Sequence, residues 1–587
     1  MGLQKHLAGG RKILKNKERG MLKPAKIEDF IKSKFFIFTA ILACLITAHF
    51  PVLTGDFLKQ DDWNATFWSY RGAFFLPHGH PEFFNAAIDL FRPVGALILI
   101  ISDYICINIE NAKFVKFFTI IFMTFASYLT YMWQIKFSPN AKFFSFCFAI
   151  LSFCLFASQL HTSTAGYNGM VITLICGQVA IIYFYKALME IKEPLIQRKY
   201  IIFSALLILA GSMNYAISMM YYFLFLFIFY ISNIDKNKIP NIQIYKFLIK
   251  STIFIIAIMV LYILMAKAVH LIFDIQQKMH GGYIRSIHID WDIMNKIHSI
   301  LIMIKYSFNV FNLWSSTGIN NINIFFYVAF ITTFLFFTSI FIRLNLFNKR
   351  LKNSFSYINN FGSSIFIFMV SLALLILSYT PVLPLEVAVL DGNPFKTIMT
   401  NRYFVVTMPF ILYIMMWSFN TIGSLNFLST YNYIGKNFTF ACILAFGIYQ
   451  CNYSLENYIV RPHLTELNYI KKHIENDVLS IVNAGEKPTI VIIRNSNIGE
   501  VHYGNDYDLA INYSHNWLIS ATIYTLRQYK LRSILTHKVI TWKNDLGIHI
   551  TSHWGELASV DDKNTFNLLT RKNTVIIDMN KLKIKNW

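Results

Sequence analysis

The chain has 587 residues, of which 55% are hydrophobic, 17% aromatic and only 14% charged, with a mean hydropathy of +0.46. Soluble domains carry about 25% charged residues, whereas here apolar runs of roughly 18 or more residues, the length of a membrane crossing, recur along the chain. A soluble enzyme, a disordered chain and a disulfide-rich secreted module are excluded, and the expected class is a polytopic α-helical membrane protein.

The formal net charge is +22. A strongly basic chain can bind nucleic acid or anionic lipid, but no basic stripe interleaved with aromatics forms a recognisable nucleic-acid module. The basic residues fall instead where the positive-inside rule places them, so nucleic acid is not among the expected partners. The seven cysteines lie in or beside apolar runs with no CxxC pair. They read as small core residues rather than ligands or disulfides.

Residues 1–33 form a basic segment, expected to be cytoplasmic, before the apolar run 35–53, which reads as a signal anchor. The stretch 92–107 is ambiguous: it opens with Arg92-Pro93 and contains Asp103. If it spanned, the basic connections 186–199, 236–250 and 343–352 would fall outside, against the charge rule, so it is assigned a juxtamembrane position. The expected crossings are then 35–53, 114–133, 142–160, 169–187, 200–215, 217–232, 248–268, 322–342, 362–381, 403–420 and 437–451, about eleven helices. They form a transmembrane domain over 34–451, with outer loops 54–113, 161–168, 269–321 and 382–402, in a cytoplasmic (inner) membrane with the N-terminus inside. The tail, 452–587, becomes more charged. Helical periodicity at 464–482 and 517–530 alternates with strand-like runs at 489–494, 539–542, 548–551 and 574–578, which predicts a soluble extracytoplasmic α/β domain.

Chemistry concentrates in the outer loops. Asp61 and Asp62 are adjacent carboxylates just beyond the first membrane helix. Such a pair can hold a hard divalent cation (Mg or Mn), or one member can act as general base while the other positions it. Either aspartate would equally cap the helix expected near Trp63. Arg92 can bind phosphate bidentately or snorkel to lipid headgroups. Asn401-Arg402-Tyr403, with Pro409 behind it, opens a late helix where a lipid phosphate lies, a position helix anchoring also explains.

These features together resemble a glycosyltransferase of the GT-C fold: an acidic pair after the first helix, an aromatic-Arg-Pro segment, an Arg-Tyr opening a late helix, and a soluble outer tail. Relatives of that kind include protein O-mannosyltransferases, lipid A aminoarabinose transferases and O-antigen glucosyltransferases. The resemblance covers 35–451. It implies a GT-C-like membrane domain that takes a sugar from a polyprenyl-phosphate donor. The sugar passes, with inversion, to a glycan, lipid (lipopolysaccharide) or protein acceptor in the cell envelope. Asp61 would be the base, Asp62 its support or metal ligand, and Arg92, Arg402 and Tyr403 would hold the donor phosphate. The sequence departs from the family in the next outer loop, where a second acid is usual and 161–168 has none.

His161 stands in that loop as a hydrogen-bond donor, a ligand or a structural residue. His78, His80 and Glu82 offer a zinc-like donor set or a Gly/Pro turn. The stretch 293–313 is amphipathic and suited to lie on a membrane. Three other functions remain open: a flippase or transporter of lipid-linked sugars, an oligosaccharide polymerase or ligase, and a structural assembly protein. The transporter reading expects charged or broken helices at mid-depth, and the predicted spans carry almost no acids there.

Overall fold

The computed structural model describes residues 34–56, 92–105, 109–163, 168–233, 241–272, 322–348, 355–379, 405–423, 429–486, 489–493, 550–551 and 574–578, with isolated positions between 293 and 308. The chain is a polytopic helical membrane protein. Helix α1 (Lys34–Thr54) is followed by α2 (Pro93–Ile105), α3 (Ala112–Phe137), α4 (Lys142–Cys154), α5 (Phe156–Ser163), α6 (Asn168–Tyr185), α7 (Pro194–Met219) and α8 (Tyr221–Asn233). Then come α9 (Asn241–Ile272), α10 (Ile322–Asn348), α11 (Phe355–Leu377), α12 (Thr407–Ile422) and α13 (Ser429–Ser454).

Among the described residues helix forms within each of the eleven expected crossings, because long apolar stretches must satisfy their backbone groups within the segment. Among the described residues, eight helices are long and apolar enough to cross a membrane, and α4 with α5 makes a ninth if the bent pair counts as one span. The difference lies in α8 and α12, of 13 and 16 residues. At 1.5 Å per residue these reach only about 20 and 24 Å, short of a ~30 Å hydrocarbon core. Helix α2, also 13 residues, falls short of that thickness as well.

Helix α8 explains how a short element serves as the centre. Every residue of Tyr221–Asn233 is buried, as expected for a helix that is apolar all round and enclosed by others. It packs against α3, α6, α9 and α11. Trp133 of α3 stacks on Phe225, with ring centroids 5.5 Å apart, and donates its indole N–H to the Phe225 carbonyl at 2.8 Å. Phe227 stacks on Phe410 of α12 at 4.1 Å, and Phe229 meets Phe137 and Tyr185 edge-on. Flat rings fill the inter-helix space with few rotatable bonds, so this aromatic core is rigid.

The last helix does not stop at the expected start of the tail. From α13 the chain continues through a π-helical turn (Leu455–Val460), α14 (Arg461–His473), a second π-turn (Ile474–Val478) and α15 (Leu479–Asn483). The helical periodicity expected at 464–482 is therefore present, but as an extension of the membrane helix, and no helix end falls at 452. Three strands follow: β1 (Thr489–Ile493), β2 (Ile550–Thr551) and β3 (Thr574–Asp578). They form a parallel sheet in the order β2-β1-β3, with Ile490 paired to Ile550 and to Val575. Among the described residues of the tail these three strands and the helical stretch before them are what is present of the expected α/β domain. The helix expected at 517–530 and the strand at 539–542 lie outside the described residues.

Candidate functional site

Two of the helices are broken, and polar side chains gather at both breaks. Between α4 and α5 the chain turns through 64° at Leu155, whose backbone is extended (φ −65°, ψ 153°). A bend of this kind strips the preceding carbonyls of their helical donors, and a buried carbonyl left bare is costly. Each of the three is supplied by a side chain. Ser158 Oγ donates to the Ser152 carbonyl at 3.0 Å, His49 Nε2 to that of Phe153 at 3.0 Å, and Gln159 Nε2 to that of Cys154 at 3.3 Å.

Because a carbonyl can only accept, the proton of His49 sits on Nε2. Its Nδ1 lies 2.8 Å from Thr162 Oγ1, and the Thr162 hydroxyl also reaches the Gln159 carbonyl at 3.1 Å. Cys451 of α13 approaches His49 Nε2 at 3.8 Å. One histidine thus joins α1, α4, α5 and α13. Beside it His161 is fully buried, and neither ring nitrogen has a hydrogen-bond partner among the described residues.

The second break is in α7. Tyr215 leaves the helical region (φ −152°, ψ 89°), while the chain on either side remains helical. Next to it, Asn214 Nδ2 donates to the Gly169 carbonyl of α6 at 2.5 Å. Two glycines make room for that amide. A Cβ on Gly95 of α2 would lie 2.9 Å from Asn214 Oδ1, and one on Gly169 would lie 3.0 Å from it. Helix α2 therefore seats against the α7 break through its glycine, and Arg92 lies immediately before its first residue, Pro93. The half-buried Arg92 places its guanidinium 5.2 Å from the centre of the Tyr215 ring, within cation–π range. Tyr262 of α9 is within electrostatic reach of the same guanidinium.

Arg92 and His161 are the two expected site residues that the structure describes. Their elements meet on α6, against which both α2 and α5 pack. Asp61, Asp62, His78, His80, Glu82, Arg402 and Tyr403 lie outside the described residues. The carboxylates expected to hold a divalent cation are among them, and within the described residues no three His, Cys, Asp or Glu side chains converge on a point that could hold a metal ion.

The structure adds residues that the sequence pattern did not single out. His49, Asn214, Tyr215 and Tyr262 belong to the two breaks. Lys116, in the second turn of α3, is fully buried. A lysine enclosed within an apolar helix is costly and marks a functional position by default. Its signal was legible as a charge inside Phe114-Val115-Lys116-Phe117-Phe118, although it reads equally as the basic flank of a span.

Comparison with known proteins gives no match: no protein-family model, no curated protein and no solved structure is similar to the chain.

Proposed function

We propose that the chain is an inverting glycosyltransferase that moves a sugar from a polyprenyl-phosphate donor to a cell-envelope acceptor at the outer face of the membrane. The observation that carries this reading is the setting of Arg92. Its guanidinium is held over the Tyr215 ring at the amino end of an apolar helix. Helix amino termini favour anions, and the planar fork of arginine matches the oxygens of a phosphate. The arrangement suits a lipid-borne phosphate that approaches from the bilayer while its sugar projects into water.

In this reading Asp61 takes the proton from the acceptor hydroxyl as that oxygen attacks the anomeric carbon. The bond from that carbon to the phosphate oxygen breaks, and polyprenyl phosphate leaves. Arg92, with Arg402 and Tyr403, binds the departing phosphate, whose charge grows as the bond breaks. Asp62 supports the base or holds a divalent cation, which would supply further charge neutralisation. His161 offers an accessory hydrogen bond, and the tail contributes an outer α/β domain.

The test is glycan analysis of the envelope of a strain lacking the gene, complemented with wild type or with the Asp61→Asn, Asp62→Asn double variant. Loss of a glycan that only wild type restores supports the transferase. Full restoration by the double variant removes its base.

The broken helices favour a second reading, a flippase of lipid-linked sugars, since transporters place discontinuous helices at their binding sites. The two readings separate on the donor: a transferase consumes polyprenyl-phosphate sugar in sealed vesicles, whereas a flippase moves it intact between leaflets.

A further inference from the structure

Ahead of α10, the described positions 293, 294, 297, 300, 301, 304 and 307 are all helical. Their spacing puts them on one face of a helix, formed by Ile293, Met294, Ile297, Ile300, Leu301 and Ile304 and ending on Ser307. Exposure changes along that face. Ser307 and Phe308 are buried, and Ile304 is a half-buried residue packed against the core. Leu301, Ile297 and Met294 are exposed, and Ile293, at 73%, is the most exposed large apolar side chain among the described residues.

The buried end is pinned. Ser307 Oγ donates to Thr407 Oγ1 at 2.7 Å and accepts from the Tyr379 hydroxyl, and both partners are buried. Tyr379 lies two residues past the end of α11, and Thr407 opens α12. The three hydroxyls therefore tie this arm to the bundle where one membrane helix ends and another begins, which places it at the membrane boundary.

Two comparisons within the molecule identify what covers the exposed face. Helices α14 and α15 continue beyond the last crossing, and none of their large apolar side chains is exposed. The crossings behave in the opposite way: Phe330 of α10 is 71% exposed, and Ile253 of α9 and Phe438 of α13 are exposed as well, because their outer sides meet lipid. The arm matches the crossings. A row of isoleucine, leucine and methionine left in water would forgo the burial that drives such residues inward, whereas at a membrane boundary the row enters the acyl layer.

We infer that the arm 293–308 lies along the membrane surface and that lipid is the partner of its apolar face, with Ile293, Met294, Ile297 and Leu301 in the acyl region. This is independent of the transferase reading. Protein holds the arm at one end, through Ser307, Tyr379 and Thr407, and the bilayer holds the rest of its length. The contacting residues are apolar, so the face accepts acyl chains whatever the headgroup above them.

The full chain is prepared with the photoreactive residue p-benzoylphenylalanine in place of Ile293, Ile297 or Leu301. It is reconstituted in phosphatidylcholine liposomes and irradiated, and the products are weighed by intact-protein mass spectrometry. The same residue at Phe330 is the lipid-facing reference, and at Ser480, exposed on α15, the reference beyond the last crossing. The three arm positions are expected to give lipid adducts at a yield comparable to that of Phe330, and Ser480 none. Ile293→Asp combined with Leu301→Asp replaces two exposed apolar anchors with charges that resist the acyl layer, and leaves the buried pin untouched. With the probe at Ile297, the adduct in this variant is expected to fall at least about tenfold. Absence of lipid adducts at all three arm positions while Phe330 gives one overturns the proposal. So do crosslinks to a second copy of the chain in place of lipid, or an undiminished adduct at Ile297 in the folded aspartate variant.

Discussion

The Arg92 guanidinium lies 5.2 Å from the centre of the Tyr215 ring, and Tyr215 is the residue at which α7 departs from helical geometry. A cation that would otherwise swing into the headgroup region is held against a fixed aromatic face. Such stacking contributes about 0.5–2 kcal/mol and, more to the point, orients the fork before a phosphate arrives.

Substitution of Arg92 is therefore expected to act on donor use and to leave the fold intact. Arg92→Ala removes a charge-assisted contact of about 1.5–3 kcal/mol, a decrease of roughly 10–150-fold in kcat/KM for the donor. Arg92→Lys retains the charge without the fork and should fall between the two. Donor-dependence curves of the three proteins in liposomes check this. Wild-type kinetics in Arg92→Ala would remove the phosphate site from the account.

The seat of α2 is a steric claim. Because a Cβ on Gly95 would approach Asn214 Oδ1 to 2.9 Å, Gly95→Ala should destabilise the protein by about 1–3 kcal/mol through overpacking. Asn214→Ala removes the nearest obstacle, leaving the residue's backbone carbonyl 3.3 Å away, but also removes the bond to the Gly169 carbonyl. The double variant should then be less destabilised than the sum of the singles, with a coupling of about 0.5–3 kcal/mol. Thermal unfolding of the four proteins in one detergent measures it, and strict additivity would contradict the contact.

His49 makes a comparable claim at the other break. His49→Ala leaves the Phe153 carbonyl without its donor and should cost about 1–3 kcal/mol, the penalty of a buried unsatisfied polar group. His49→Gln keeps an N–H donor of similar reach and should recover much of the loss. Unfolding midpoints of both variants decide the matter. Equal loss in the two would assign His49 a packing role in place of the hydrogen bond.

The contrast between what was readable and what was not follows from these same residues. The run expected at 35–53 is α1 at 34–54, because crossing length is a local property set by consecutive apolar residues. The strand expected at 574–578 has those same bounds, since a short β-branched run between polar residues has few other uses. The bend inside the crossing expected at 142–160 was not legible. The donors that stabilise it include His49, 104 positions away from Phe153, and pattern reading sees only neighbours. The same holds for Arg92. Its chemistry could be read from an arginine beside proline at a membrane edge, but its orientation comes from Tyr215 and from Gly95 and Asn214 fitting together. Lys116 was missed for a different reason. A lysine two turns or fewer inside a span reads as snorkelling, and only packing distinguishes it from one that is enclosed.

The central claim, transfer of a sugar from a polyprenyl-phosphate donor, is tested most directly with the purified full chain in liposomes. A panel of polyprenyl-phosphate sugars and an envelope acceptor fraction are supplied, and release of free polyprenyl phosphate is followed. Wild type is expected to release it only when acceptor is present, and Asp61→Asn to slow release by about 10²–10⁴-fold, the contribution of a general base. Intact donor throughout the panel with wild type, or equal release by Asp61→Asn, would contradict the account.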